Sequence, residues 1–295
     1  MILLTYQTPK GLKLGAKTDR GILDIAATVT PGHTDTHVTP DALYRAGSVA
    51  VAPLAARVDE ALEHGAAEWF HDESRLRLGP PVPNPGKILC IGLNYLRHAQ
   101  ESGMAVPTTP VLFSKFNNAI AGPGEDIPLP AHAEEYDYEA ELVVVIGRRA
   151  KEVSEAEALD YVLGYCNGND VSERQLQMLT GQWLLGKTLD KFMPLGPYLV
   201  TANEAGDPQE MRVRCWLNGE LRQDSNTADM IFSVAEVVSY ASRYLTLEPG
   251  DIISTGTPEG VIFGMEERVW MRPGDEATVE VGNLGQLSNR MVEGR

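Results

Sequence analysis

A short apolar run preceded by two acidic residues constrains the fold of this chain more than any other feature. Residues 142–146 read LVVVI and are followed by Gly147. A β-branched run of this length, closed by a glycine, is typical of a buried strand. Glu139 and Glu141 directly precede the run, and alternation along a strand puts their side chains on one face, about 7 Å apart. Two like charges at the end of a buried strand are costly, so the sequence predicts a positive partner for them.

Size and composition exclude several classes of protein. The 295 residues suffice for one large domain, or for a large and a small one. The formal net charge of −16 argues against nucleic acid as a partner, because phosphate backbones require a basic surface. Every apolar run is shorter than the roughly 18 residues of a transmembrane helix, and the opening MILLT is expected to form a strand rather than a signal peptide. Cys90, Cys166 and Cys215 are widely spaced, which favours a reducing compartment, so we expect a cytoplasmic protein without a membrane partner.

Proline content divides the chain into two regions. Residues 79–87 contain four prolines, which neither a helix nor a central strand accommodates. Residues 1–80 combine short strand-like pieces with an alanine-rich helical stretch, and we expect a small N-terminal α/β subdomain there. Residues 81–295 form the predicted main domain, in which strands dominate without a regular alternation with helices. The predicted class is therefore α+β and β-rich.

Local patterns predict three further features. Asn218 and Gly219 lie between two strand-like runs and predict a β-hairpin. Ser233 and Glu236 have the spacing of a capping box and predict the start of a helix. Asn94 is predicted to cap the short helix that follows it.

Asp170 adds a third carboxylate to Glu139 and Glu141. It comes just after a predicted strand, residues 161–166. Three carboxylates without clustered cysteine or histidine make an all-oxygen ligand set, which suits Mg²⁺, Mn²⁺ or Ca²⁺ better than zinc. The alternative is a solvated strand edge, since acidic residues are usually exposed. A solvated edge is the more common outcome for such a glutamate pair alone, and the apolar run after Glu141 makes it less so here.

His98 and Glu101 lie three residues apart on the short predicted helix and therefore share a face. A carboxylate beside an imidazole orients the ring and raises its basicity, which makes His98 a candidate general base for water. The alternative is a surface ion pair that contributes only about 0.3–0.5 kcal/mol. The helix follows a Gly-Leu-Asn break, so it is also a candidate mobile lid.

Residues 181–188 read GQWLLGKT and match the phosphate-binding P-loop pattern. The context argues against that function, because a helical segment precedes the match and Pro194 follows where a helix should continue. Lys187 is instead a candidate cation beside the acidic cluster. His33 and His37 are four residues apart in a loop and form a minor metal candidate.

Six segments, in order along the chain, resemble the fumarylacetoacetate hydrolase superfamily over roughly residues 86–290. They read GLNYLRHAQE, DYEAELVVVIG, GYCNGNDVSERQLQ, GKTLDKFMPLGP, LNGELRQDSNTADMIF and LEPGDIISTGTPEGV. The resemblance implies a mixed β-sandwich roll for the main domain, and a homodimer. It also implies a divalent metal cofactor, Mg²⁺ or Mn²⁺, with Ca²⁺ as a substitute in vitro.

The site residues that the resemblance implies fall into metal ligands, catalytic residues and substrate contacts. The implied metal ligands are Glu139, Glu141 and Asp170, and the implied catalytic residues are His98, Glu101 and Lys187. The implied substrate contacts are Arg174, Gln177, Gly256 and Thr257. Tyr136, Asp137 and Tyr138 lie within a matching segment but receive no role.

The chemistry of these residues suits a 2-oxo acid substrate. Such an acid chelates a divalent cation through its carboxylate and keto oxygens, and the cation and Lys187 would stabilise an enolate. If His98, oriented by Glu101, activates water, the distal carbonyl is attacked and a C–C bond breaks. The sequence therefore predicts a metal-dependent hydrolase of acylpyruvates or 2,4-dioxo acids. The alternatives are an oxaloacetate decarboxylase or an isomerase or hydratase of the same superfamily and, from other classes, a P-loop nucleotide-binding protein or a non-catalytic Ca²⁺-binding module.

Overall fold

Strands form most of the regular structure in residues 1–29 and 37–294, the parts of the chain that this computed structural model describes. Numbered β1 to β19 in chain order, the strands are Ile2–Thr8, Gly11–Thr18, Gly21–Asp24, Phe70–His71, Leu78–Gly79, Ile88–Gly92, Val111–Lys115, Ile120–Ala121, Ile127–Leu129, Tyr136–Asp137, Ala140–Ile146, Val162–Asn169, Ser172–Glu173, Met193–Thr201, Arg212–Leu217, Glu220–Asn226, Ile252–Ser254, Glu276–Val281 and Gln286–Glu293. Numbered α1 to α7, the α-helices are Pro40–Ala46, Val51–His64, Leu96–Glu101, Arg174–Met178, Leu184–Lys187, Ala202–Ala205 and Val234–Tyr244.

Twelve of these strands form one sheet. Its main path is β4-β3-β2-β1-β14-β12-β11-β17-β6-β7, with β5 paired to β1 and β8 paired to β14. Most neighbours are antiparallel, whereas β17 with β6 and β14 with β8 are parallel. A second sheet, β16-β15-β18-β19-β9, packs against the first, and β10 and β13 pair separately. The predicted α+β, β-rich class and the mixed sandwich roll are confirmed.

The central strand β11 is buried along its whole length, as its sequence predicts. Leu142 and Val144 pack into one core cluster, together with residues of β15 and β18 from the second sheet. Val143 and Val145 pack into another core cluster, together with residues of helices α1 and α2. Because both faces of the strand are covered, its sequence is continuously apolar instead of alternating.

The N-terminal region has the predicted mixture of strands and helices. Strand β1 pairs with β14 in the register Ile2 to Val200, so the leading strands extend the main sheet. Residues 80–87 contain neither helix nor strand, in agreement with their prolines. That residues 1–80 and 81–295 are separate domains stays a prediction.

Two of the three local features form as predicted. Asn218 and Gly219 connect β15 to β16 with φ angles of 53° and 79°, the positive values that tight hairpins require. Ser233 and Glu236 make both hydrogen bonds of a capping box at the start of α7. None of the helices in the described residues is long and apolar enough to cross a membrane.

The predicted cap at Asn94 is wrong. Tyr95 occupies the N-cap position of α3, and no side chain caps the helix. The Asn94 amide instead donates to the backbone carbonyls of Phe232 and Thr255, at 3.0 and 2.8 Å. Because two buried carbonyls offer this amide better partners than the helix end does, the tertiary contacts determine its position.

Candidate active site

Three carboxylates meet where β11 begins and β12 ends. The two strands are antiparallel neighbours, and Glu141 pairs with Gly168, which brings Asp170 beside Glu139. One oxygen from each carboxylate lies within 4.8 Å of the others, and all three side chains are buried. The Asp170 N–H donates to the Glu139 carbonyl oxygen at 2.9 Å. The structure thus brings the three predicted ligands together, while their binding of a metal stays a prediction.

Three buried cations contact this cluster. Lys187 Nζ lies 2.7 Å from Glu139 Oε2 and 2.9 Å from Asp170 Oδ2. Arg174 Nη1 lies 2.7 Å from Glu139 Oε1, and Lys115 Nζ contacts Asp170 Oδ1. Burial alone would raise the pKa of Glu139, but Lys187 and Arg174 hold that pKa well below its usual value. Glu139 therefore has the positive partners that the sequence predicted.

Glu141 has a different environment. Its Oε2 accepts hydrogen bonds from the Ser254 hydroxyl and, at 2.9 Å, from the Gly256 N–H. It forms no ion pair with any basic side chain of residues 1–29 and 37–294. Burial, and then repulsion from Asp170 and Glu139, raise the pKa of Glu141 to about 8.

The cluster and its ion-pair partners include four buried acidic side chains and three buried basic ones. The acidic members are Asp137, Glu139, Glu141 and Asp170, and the basic members are Lys115, Arg174 and Lys187. Burial favours the neutral form of Glu141, and a positive ion beside it would favour the charged form that binds a metal. Three carboxylates with oxygens within 4.8 Å also offer the hard ligands that Mg²⁺, Mn²⁺ and Ca²⁺ prefer. The residues therefore fit a divalent cation.

Helix α3 brings the predicted histidine and glutamate together. His98 Nδ1 lies 2.9 Å from Glu101 Oε1. Glu101 Oε2 accepts the N–H of Gly260 at 2.9 Å, which docks the end of α3 on the loop after β17. A Cβ added at Gly264 would lie 2.5 Å from the Glu101 carboxyl carbon, so a larger residue there would displace the Glu101 side chain.

One pocket joins these groups. Its polar lining includes His98, Glu139, Glu141, Gln177, Lys187 and Thr257. Its apolar lining includes Ile91, Met104, Phe113, Met178, Trp183 and Phe263. The pocket is small, with a free volume of about 30 Å³. Helix α3 contributes His98 to its wall.

The predicted substrate contacts differ in how their polar groups are used. Gln177 lines the pocket. The Thr257 hydroxyl also reaches it but donates to the carbonyl oxygen of Ala140 at 3.0 Å. The Gly256 N–H is taken by the Glu141 carboxylate. Arg174 lies at the pocket wall, with its guanidinium held by neighbouring side chains. Substrate binding by these four residues stays a prediction.

Three side chains that build the site were missed by the sequence analysis. Lys115 ends strand β7 and is fully buried, and a lysine closing an apolar strand was the available signal. Asp137 ends β10, two residues before Glu139, and the spacing of the acidic residues at 137, 139 and 141 was the available signal. Ser254 ends β17 and reaches Glu141 from the neighbouring strand. Its segment, STGTPEG, fits a simple turn, but it also offers hydroxyl and backbone donors for an anion, and these were the available signal.

Residues 181–188 do not form a P-loop. Helix α4 ends at Met178, and α5 is a single turn that no strand immediately precedes. The Lys187 ammonium instead contacts the carboxylates of Glu139 and Asp170, as expected for a cation beside the acidic cluster. The other minor candidate, the pair of His33 and His37, cannot form a described site because His33 lies outside the described residues.

The fold and the acidic pocket define a known class of proteins. Residues 87–292 match the family described as fumarylacetoacetate (FAA) hydrolase C-terminal, and the chain belongs to this family. The fumarylacetoacetate hydrolase domain-containing protein 2 homolog of Dictyostelium discoideum is 50% identical over 218 residues, which are 70% of this chain and 72% of that protein. The mitochondrial oxaloacetate tautomerase fahd2 of Xenopus laevis is 44% identical over 221 residues, which are 74% of this chain and 69% of that protein.

A solved structure extends the likeness to the whole chain. The maleylpyruvate hydrolase of Sphingobium sp. SYK-6, in complex with manganese(II) and pyruvate, is 30% identical, with a TM-score of 0.80 and complete coverage of both chains. The resemblance inferred from the sequence is therefore confirmed at the level of family and fold. A divalent metal is consistent with the manganese in that structure and with the Glu139, Glu141 and Asp170 cluster. The expected homodimer and cytoplasmic location stay predictions.

Proposed function

We propose that this chain is a divalent-metal-dependent enzyme that interconverts the keto and enol forms of oxaloacetate. One observation carries the proposal: Glu139, Glu141, Lys187 and His98 line a single pocket. The name of the Xenopus laevis relative, an oxaloacetate tautomerase, supports the choice of substrate. The small free volume of the pocket, about 30 Å³, also supports a small acid as the substrate.

Glu101 decides which nitrogen of His98 acts as the base. A carboxylate only accepts hydrogen bonds, so His98 Nδ1, 2.9 Å from Glu101, carries the proton. Nε2 is then the unprotonated nitrogen of a histidine that lines the pocket. In the proposed reaction Nε2 takes a proton from C3 of the 2-oxo acid, and Glu101 stabilises the resulting imidazolium.

Lys187 assists the movement of charge in this step. The electron pair of the broken C3–H bond forms the C2–C3 double bond, and negative charge moves onto the C2 oxygen. The buried ammonium of Lys187 supplies positive charge for that oxygen. Glu139, Glu141 and Asp170 would hold a divalent cation, which would polarise the same carbonyl group. Return of the proton from His98 to the oxygen gives the enol.

Hydrolysis of a C–C bond, which the sequence predicts first, is the second candidate. The likeness to the maleylpyruvate hydrolase of Sphingobium supports it. His98 Nε2 would then take its proton from a water molecule, and the pocket would also have to accept the departing acid. Decarboxylation of oxaloacetate, the other alternative, gives an enolate without water and is separated from tautomerisation by its products.

The product balance tests these candidates. Protein freed of metal with EDTA, and then supplied with Mg²⁺ or Mn²⁺, is added to freshly dissolved enol oxaloacetate in weak buffer. Loss of the enol ultraviolet band measures tautomerisation, and a coupled lactate dehydrogenase assay measures pyruvate. We expect metal-dependent loss of enol without matching release of pyruvate. Pyruvate formed as fast as the enol is lost would favour decarboxylation, and cleavage of acylpyruvates alone would favour hydrolysis.

Paired variants test the role of the histidine. His98→Asn should remove most of the metal-dependent rate, because Asn cannot take the C3 proton. His64, on α2, has a side chain that is 77% exposed, so His64→Asn should retain the full rate. Full activity of His98→Asn, or the absence of metal-dependent turnover in the unaltered protein, would overturn the proposal.

A further inference from the structure

Asp137, which the sequence analysis left without a role, is held by five N–H donors. Its Oδ1 accepts from the backbone N–H groups of Tyr138 and Ile262, both at 2.9 Å. Its Oδ2 accepts from the Phe263 N–H at 3.0 Å and from Arg174 Nε and Nη2 at 2.9 and 2.7 Å. The side chain is fully buried. A carboxylate with this many partners is rigidly positioned, and so is the guanidinium that it holds at two points.

Arg174 directs its remaining donors towards the pocket. Its Nη1 donates to Gln177 Oε1 at 3.0 Å and lies 2.7 Å from Glu139 Oε1. With the two bonds to Asp137, four of its five N–H groups have protein acceptors. The guanidinium is therefore engaged by the protein, and it reaches the pocket through the side chains that it contacts.

Gln177 is the contact that presents hydrogen-bond donors. Arg174 and Gln177 are three residues apart on α4 and share a face. An arginine only donates, so the Gln177 oxygen must face Arg174 and its Nε2 must face away. Gln177 also lines the pocket. Its amide thus offers N–H donors beside the acidic cluster, where the carboxylate of a 2-oxo acid would need them.

We propose that Asp137 is a positioning residue that acts through Arg174 to fix the Gln177 amide, so that Gln177 Nε2 donates to the substrate carboxylate. This inference rests on the proposed function, which supplies the 2-oxo acid. Without Asp137, the guanidinium loses both bonds that hold its far edge, and the amide is free to turn. An oxygen facing the substrate carboxylate would repel it.

Oxalate is a suitable probe, because it is a planar dianion similar in shape to the enolate of a small 2-oxo acid. Its affinity for protein saturated with Mn²⁺ is measured by calorimetry and corrected for the binding of oxalate to free Mn²⁺. Loss of one hydrogen bond to a charged ligand weakens binding about 10-fold to 100-fold. We expect losses in this range for both Asp137→Asn and Gln177→Ala.

The double variant separates positioning from a general structural effect. If Asp137 acts through Gln177, Asp137→Asn combined with Gln177→Ala should bind oxalate within about twofold of Gln177→Ala alone. Independent structural damage would multiply the two losses. Asp224→Asn is the matched control, because Asp224 also accepts from the Nε and Nη2 of an arginine, Arg212, at 2.7 and 2.6 Å, on the exposed β15–β16 hairpin. It should bind oxalate as the unaltered protein does.

Each outcome has a defined meaning. If the unaltered protein with Mn²⁺ does not bind oxalate, the proposed function fails and the role of Gln177 fails with it. If the unaltered protein binds oxalate but the losses multiply, or if Asp137→Asn binds normally, only the role of Asp137 is overturned. If Asp137→Asn does not fold, Arg174→Lys makes the same test, because lysine keeps the charge but cannot hold Asp137 and Gln177 together.

Discussion

Replacing Glu141 with glutamine tests whether the acidic cluster is built to hold a cation. The pKa of Glu141 in the folded protein is about 8, against an ordinary value of 4.5, because of burial and of repulsion from Asp170 and Glu139. The unfolded chain therefore ionises this group at lower pH than the folded protein does. The contribution of Glu141 to the stability of the metal-free protein is full below about pH 4.5 and is lost as the pH rises through about 8.

The size of the effect follows from the two pKa values. The interval from 4.5 to about 8, at 1.36 kcal/mol per pH unit, corresponds to about 5 kcal/mol at alkaline pH. The group is fully buried, so screening by solvent does not reduce this figure, but relaxation of the protein does, and about 5 kcal/mol is an upper bound. Glutamine removes the charge and can still accept the Ser254 and Gly256 hydrogen bonds. Glu141→Gln should therefore stabilise the metal-free protein at pH 9 by about 2–5 kcal/mol.

Urea denaturation at pH 5 and pH 9 measures this effect, with EDTA or with saturating Mg²⁺. In EDTA the variant and the unaltered protein should differ little at pH 5, and the variant should be more stable at pH 9. Mg²⁺ should stabilise the unaltered protein far more than the variant, because a ligand carboxylate is missing from the variant. Glu155 is exposed, so Glu155→Gln should change neither measurement. A Glu141→Gln protein that is less stable at pH 9 in EDTA would refute the reasoning.

Three further predictions concern other parts of the molecule. Lys115→Met removes the buried cation that contacts Asp170 and should lower the free energy of unfolding, measured in urea, by about 3–5 kcal/mol. The exposed Lys151→Met should change this free energy by less than about 1 kcal/mol. Equal losses in the two variants would contradict a special role for the Lys115 ion pair. His98→Asn should slow the enolisation of oxaloacetate about 100-fold or more. Its Mn²⁺ affinity, measured by calorimetry, should stay within about twofold of that of the unaltered protein. A parallel loss of metal binding would mean that His98 supports the acidic cluster itself. Ser233→Ala removes the capping hydroxyl of α7 and should destabilise the protein by about 1 kcal/mol in urea, and an unchanged midpoint would show that the box does not contribute.

Local patterns predicted the parts of the fold that depend on neighbouring residues. The run at 142–146 predicted β11 because a strand buried on both faces must be apolar throughout. The hairpin at Asn218 and the capping box at Ser233 could also be predicted, because their hydrogen bonds join residues a few positions apart. Asn94 failed as a cap because its amide has partners 138 and 161 residues away. No pattern of neighbouring residues contains that information.

The candidate site divides in the same way. Strand alternation predicted that Glu139 and Glu141 share a face, whereas the family resemblance assigned them, together with Asp170, as metal ligands; the structure brings the three together. Only the tertiary structure decided how their charges are balanced, because Lys115 and Arg174 reach the cluster from other elements. As a result, Glu141 has no ion-pair partner among the described residues. The Arg174 guanidinium is bound by Asp137, Gln177 and Glu139.

The sequence by itself thus determined the class of fold and the chemical types of the site residues. The tertiary structure decided which donor meets which acceptor, as when Asp137 binds backbone N–H groups 125 and 126 residues further along the chain. The physical reason is that a side chain's type sets what it can bind, whereas packing between distant segments sets what it does bind.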